Sequence, residues 1–122
     1  MSDDLRFIIA FIQPFQLENV LDAVRRLPSF PGMTVTQTAG IGRHLSHPPR
    51  SGEETEVNSF MPGVRIEIYC LNSEVPEIVR AIREHARTGR RGDGKIFTGR
   101  LDSALRIRSG EEGPAAIHGD RT

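Results

Sequence analysis

The run Thr88-Gly89-Arg90-Arg91-Gly92-Asp93-Gly94-Lys95-Ile96-Phe97 combines three glycines with four charged residues, the most informative pattern in the chain. Glycines at 89, 92 and 94 let the backbone turn its N–H groups toward one point with no Cβ in the way, while Arg90, Arg91 and Lys95 bring positive charge to the same place. That arrangement suits a phosphate chain. A Gly-rich β-turn with ordinary surface charges has the same composition, and the run alone does not separate the two. It is not a Walker loop, because Lys95 is followed by Ile96, which has no hydroxyl to offer magnesium. Arg106-Ile107-Arg108 adds to the run. On an extended strand the two guanidinium groups share one side and Ile107 turns to the core, so both could meet one phosphate chain; a solvated strand face is the plainer alternative. His44 and His47, with Glu53, Glu54 and Glu56 downstream, are candidate ligands for a divalent metal if loops of several subunits converge, or are simply solvated. No H-E-x-x-H, G-x-S-x-G or Cys and His pair at ligand spacing supplies a catalytic set.

The elements that must position these residues can be read from periodicity. Leu5 to Ile12 places Leu5, Phe7, Ile9 and Phe11 on one face and Ile8, Ala10 and Ile12 on the other, which predicts a strand buried on both sides. Leu17, Val20, Leu21, Val24 and Leu27 form a helical stripe that stops before Pro28. After the Pro31-Gly32 turn a second strand is predicted over Met33 to Thr38, and a third over Val64, Ile66, Ile68 and Cys70, with Arg65, Glu67 and Tyr69 facing away. Between them, about Gly42 to Pro62, adjacent prolines, a Ser51-Gly52 turn and a charged stretch mark a long exposed loop. A second helix carries Val75, Ile78, Val79 and Ile82 on its buried face, with Ser73 as its cap and Pro76 in its first turn, and ends near Thr88. Lys95 to Phe97 and Ala104 to Ile107 supply the last strand material, and Ser109 to Thr122 reads as a partly mobile tail.

The order strand, helix, strand, strand, helix, strand is that of an α+β, ferredoxin-like βαββαβ domain, a split βαβ with two helices over one face of four strands. Ile8, Ile12 and Tyr69 are assigned to the other face, whose apolar character predicts a homo-oligomer. A chain of 122 residues supports one core, and a formal net charge of +0 gives no global attraction for nucleic acid or an anionic membrane. The apolar runs fall short of the ~20 residues of a spanning helix and the first residues lack the basic region of a signal peptide, so the expectation is a cytoplasmic protein with no direct membrane insertion. The single cysteine, Cys70, is expected as a buried core thiol.

Taken together, Ile12-Gln13-Pro14-Phe15, Gly32-Met33-Thr34-Val35-Thr36, Gly40-Ile41-Gly42-Arg43, the Thr88 to Phe97 run and Arg106-Ile107-Arg108-Ser109-Gly110-Glu111 resemble the PII nitrogen-regulatory family over nearly the whole chain. The resemblance implies a homotrimer that binds adenine nucleotides (ATP, ADP or AMP) in clefts between subunits, with Mg2+ as a companion ion, and that docks onto a transporter or metabolic enzyme through its T-loop. It implies a domain over 1–112, a T-loop at about 42–62 and a flexible tail over 113–122. Gly92, Asp93, Gly94 and Lys95 would form the phosphate-binding loop, joined by Thr88; Arg106 and Arg108 would close from the next subunit. Thr34, Gly40, Gly42, Arg43 and Tyr69 would lie on the adenine and loop-base side.

The departures from the family pattern fall at the loop. Glu56 stands where many bacterial members carry a modifiable tyrosine, which argues against uridylylation. His44 aligns with the glutamine that helps hold magnesium and 2-oxoglutarate, and Gly63 aligns with the lysine that grips the 2-oxoglutarate carboxylate, leaving Arg43 and Lys95 as the cations there. Three function classes follow: a nucleotide-reading regulator, a trimeric metal-binding protein using His44 and His47, and a slow ATPase, for which Asp93 is the only acid in the glycine-rich loop.

Overall fold

The computed structural model describes residues 4–41 and 60–119. Four strands, β1 (Leu5–Ile12), β2 (Thr34–Gly40), β3 (Met61–Leu71) and β4 (Gly94–Arg100), form one sheet in the order β2-β3-β1-β4 with every neighbour antiparallel. Helix α1 (Leu17–Arg25) links β1 to β2 and helix α2 (Val75–Ala86) links β3 to β4, and both lie on one face. This is the predicted split βαβ arrangement.

Neither helix is long enough to hold its shape alone in water, so each depends on the stripe it buries. Val20 and Val24 from α1 and Ile78, Ala81, Ile82 and Ala86 from α2 close over Ile8, Ala10 and Ile12 of β1 and Val64, Ile66, Ile68 and Cys70 of β3. Cys70 is fully buried, as its alternation required. Both helices start through a 3-10 turn, over Pro14–Gln16 and Asn72–Glu74, and Pro14 in the first of these turns and Pro76 in the first turn of α2 stand where a missing N–H costs nothing. The N-cap of α2 is Glu74, with Ser73 inside the preceding turn, so the cap falls one residue later than predicted.

Three expectations are corrected. Ile8, Ala10 and Ile12 lie opposite Ile68, Ile66 and Val64. Directly opposed residues share a face, so these three point at the helices and Phe7, Ile9 and Phe11 line the open side. β3 begins at Met61, so Met61 and Pro62, expected within the stretch of about Gly42 to Pro62, belong to a strand; Pro62 fits there because the β1–β3 pairing stops at Ile12 and Val64. Ala104 to Ile107 is not a strand: only an isolated bridge, Leu105 to Glu112, pairs there, and Ile107 is 97% exposed. The segment instead folds back on itself, with the Arg106 amide donating to Glu111 O and the Gly110 amide to Arg106 O, both at 2.8 Å. Within the stretch expected as a tail, Pro114–His118 forms a short helix, α3.

The open face of the sheet is apolar at its centre. Phe11, Tyr69 and Phe97 are 37%, 43% and 49% exposed, and the Phe11 and Phe97 rings meet edge to face at 6.2 Å. Arg65 sits 5.8 Å from the Phe11 ring centre, and its Nε lies 2.9 Å from Glu67 Oε1 as an ion pair without hydrogen-bond alignment.

Candidate functional site

The candidate residues fall into two groups. The first is the turn between α2 and β4. Gly89, Gly92 and Gly94 have φ of 89°, 88° and 116°, backbone that side chains with a Cβ rarely adopt. At Gly94 the reason is also steric, because a Cβ would lie 1.7 Å from the Phe11 carbonyl oxygen. Asp93 holds the turn from inside. Its Oδ2 accepts from the amides of Thr88 at 2.8 Å and Gly89 at 2.9 Å, and its Oδ1 accepts from the Thr88 hydroxyl. The Thr88 hydroxyl bond, then the Thr88 and Gly89 amides, lower the Asp93 pKa from its ordinary value. The Thr88 oxygen in turn accepts from the Arg90 amide at 3.2 Å, and the Gln13 side-chain amide donates to Gly92 O.

Thr88 and Asp93 bond to each other and to the turn, so they shape the cradle, and the positive groups at its rim are Arg90, Arg91 and Lys95. Lys95 stands on β4 opposite Phe11, on the open face of the sheet and exposed. The turn leads into β4 and not into a helix, so an anion there would meet no helix dipole, only backbone N–H groups and these side chains.

The second group lines a cleft of about 390 Å³ that includes Thr34, Tyr69 and Arg106, with Glu67 on its wall. Tyr69 donates its hydroxyl to Glu67 Oε2 at 2.9 Å, and that bond, with burial and the Glu67 charge, raises the phenol pKa. Arg106 Nη2 donates to Ile117 O at 3.3 Å. Its Nε is buried and ion-paired with Glu111 Oε1 at 3.7 Å, beyond hydrogen-bond distance. A desolvated N–H without an acceptor costs about 1–3 kcal/mol. Such a group fits a site whose acceptor arrives with a ligand.

The predicted pairing of Arg106 and Arg108 on one side of a strand does not occur. The chain turns at residues 107–109, so Arg108 is carried into an exposed turn while Arg106 stays half-buried against the cleft. Gly40 ends β2 opposite Met61. Gly42, Arg43, His44 and His47 lie outside the described residues.

The two groups are far apart within one chain. β2 and β4 are the outer strands, three strand spacings of about 4.8 Å from one another, so Thr34 and the turn are separated by at least about 14 Å across the sheet. Along the strands Tyr69 pairs with Phe7, whereas Lys95 pairs with Phe11, a further offset of about 13 Å. Sequence reasoning missed Gln13, Glu67 and the pairing of Glu74 with His118. Gln13 and Glu67 are single polar residues beside apolar runs, and only the register shows what they face.

Comparison with known proteins agrees with this architecture. The family model described as Nitrogen regulatory protein P-II matches residues 5–111. A protein named Nitrogen regulatory protein P-II from Bradyrhizobium diazoefficiens is 40% identical over 113 residues, which span 93% of this chain and 100% of the relative. The Nitrogen regulatory protein GlnK of Escherichia coli K12 is 36% identical over 114 residues, again 93% of this chain and 100% of the relative. Among solved structures, Arabidopsis thaliana PII bound to citrate superposes with a TM-score of 0.75 at 27% identity, covering 95% of this chain and 92% of that one. Sheet order, glycine turn and matched span lead to one conclusion: the chain belongs to the P-II family of nitrogen regulatory proteins, which are signal-transduction regulators and not enzymes.

Proposed function

We propose that this protein binds ATP or ADP between subunits of a homotrimer and controls a transporter or metabolic enzyme in the cytoplasm through the segment 42–62. The observation that carries this reading is the division of the phosphate-binding groups. The Thr88–Lys95 turn and the Arg106 cleft each offer part of a polyanion site, yet they sit at different edges of one sheet. A second copy packed on the apolar open face would bring one chain's turn to another's cleft. Phe11, Tyr69 and Phe97 supply the contact surface, and Arg106 Nε supplies a donor lacking an acceptor. Nucleotide would then act as a switch to the extent that ATP and ADP favour different arrangements of the 42–62 segment.

The test is calorimetric titration of ATP, ADP and AMP, with and without Mg2+, into the purified protein and its Lys95→Ala and Arg106→Ala variants. The expected result is about one nucleotide per subunit, with each variant weakened roughly 10- to 100-fold, the range of a charge-assisted hydrogen bond of about 1.5–3 kcal/mol. Absence of binding to wild-type protein at millimolar nucleotide refutes the proposal.

A further inference from the structure

Glu74 is the only buried charged residue among the described residues, at 8% exposure, and the turn and cleft do not require it. Its carboxylate sits where the 3-10 turn meets α2 and accepts from the Leu71 amide at 2.8 Å. The second partner comes from the far end of the chain: His118 Nε2 lies 2.9 Å from Oε1 and 2.8 Å from Oε2. His118 is the last residue of α3, and the residue before it, Ile117, accepts the Arg106 guanidinium through its carbonyl. A continuous set of contacts therefore runs from the start of α2, through His118 and Ile117, to Arg106. Neither Glu74 nor His118 lines the cleft, so neither would touch a ligand bound there.

Arg106 sits on a segment that belongs to no strand and is held by the Leu105–Glu112 bridge and the backbone hydrogen bonds of its own turn. A long side chain on such a segment loses much rotamer freedom when a ligand fixes it, and prior fixing lowers that cost. We propose that Glu74 and His118 are positioning residues, a clasp that holds α3 so that the Ile117 carbonyl sets Arg106 toward the cleft before ligand arrives. This rests on the nucleotide reading of the cleft.

The experiment is a double-mutant cycle read by ATP titration in the full-length protein. His118→Ala should weaken ATP binding about five- to tenfold, and His118→Gln, which keeps an N–H donor for Glu74, should bind close to wild type. In an Arg106→Ala background His118→Ala should add nothing, because the residue it positions is gone. A folding defect would instead weaken both backgrounds equally. Wild-type affinity in His118→Ala, or an equal loss in both backgrounds, overturns the clasp while leaving the nucleotide site standing, provided wild-type protein binds ATP and Arg106→Ala weakens it. No binding by wild-type protein overturns both.

Discussion

Gly94 and Gly89 form a controlled pair for measuring what the turn demands of its glycines. Both have positive φ, +116° and +89°, so alanine at either position meets a backbone penalty of about 1–3 kcal/mol. They differ in their surroundings. A Cβ on Gly89 has no heavy atom within 4 Å, whereas one on Gly94 would lie 1.7 Å from Phe11 O and 3.3 Å from Ile12 Cα. Those neighbours are backbone of the paired strand and cannot swing aside, so β1 and β4 must separate at the Ile12 and Gly94 pair. Losing one or two ladder hydrogen bonds at about 1 kcal/mol each, and loosening the packing of Ile12 and Ile96, brings the cost of Gly94→Ala to about 3–6 kcal/mol. That is a large share of the roughly 5–15 kcal/mol that holds a domain together. Urea denaturation at a fixed protein concentration should place Gly89→Ala within about 3 kcal/mol of wild type and Gly94→Ala a further 2–3 kcal/mol below it. Equal losses for the two variants would refute the close approach of β1 and β4 at this turn.

Three other outcomes follow from the same geometry. The hydrogen bonds that lower the Asp93 pKa put its folded value beneath the unfolded one of about 3.9, so their support of the turn is complete above about pH 4 and is lost as pH falls through the folded value. Thr88 and Gly89 amide signals should therefore titrate below pH 4 by NMR, and Asp93→Asn should abolish the titration; signals that do not move over that range refute the assignment. Phe97→Glu, placing a charge on the exposed aromatic cluster, should convert the proposed trimer to monomer by light scattering, and an unchanged mass would rule that face out as the contact surface. Gly63→Lys should cost about 1 kcal/mol, because its Cβ would lie 2.9 Å from Thr38 Oγ1, and Thr38→Ala should recover that loss; strict additivity of the two would refute the contact.

Where apolar residues recur on one side only, sequence and structure agree. The helical stripes of α1 and α2 and the alternation of Val64, Ile66, Ile68 and Cys70 each had a single way to be buried. β1 did not: both its faces are apolar, and the choice between them is made by the register with β3, which no local pattern encodes. Leu105, Arg106, Ile107 and Arg108 alternate as a strand should, but a strand also needs an edge to pair with, and the chain meets itself at Glu111 and Glu112 instead. α3 has five residues, too few for a helical period, though Gly113 followed by Pro114 is a helix-start signal that was available. At the site the glycine-rich turn was legible by composition. The inward role of Asp93 and the reach of His118 to Glu74, 44 residues away, were not, since both depend on which chain segments fold together.

With the proposed site shared between subunits, the separation of the turn from the Arg106 cleft also ties two equilibria together. For a ligand that must touch both halves, binding and subunit association are one linked process: each molecule bound between copies stabilises the assembly, and dilution of the protein weakens the ligand. At a free concentration a hundredfold above its dissociation constant, each such ligand adds about 2.7 kcal/mol to the assembled form. The apparent affinity then depends on how much of the protein is present, so a scarce regulator would respond to higher nucleotide levels than an abundant one with the same sequence.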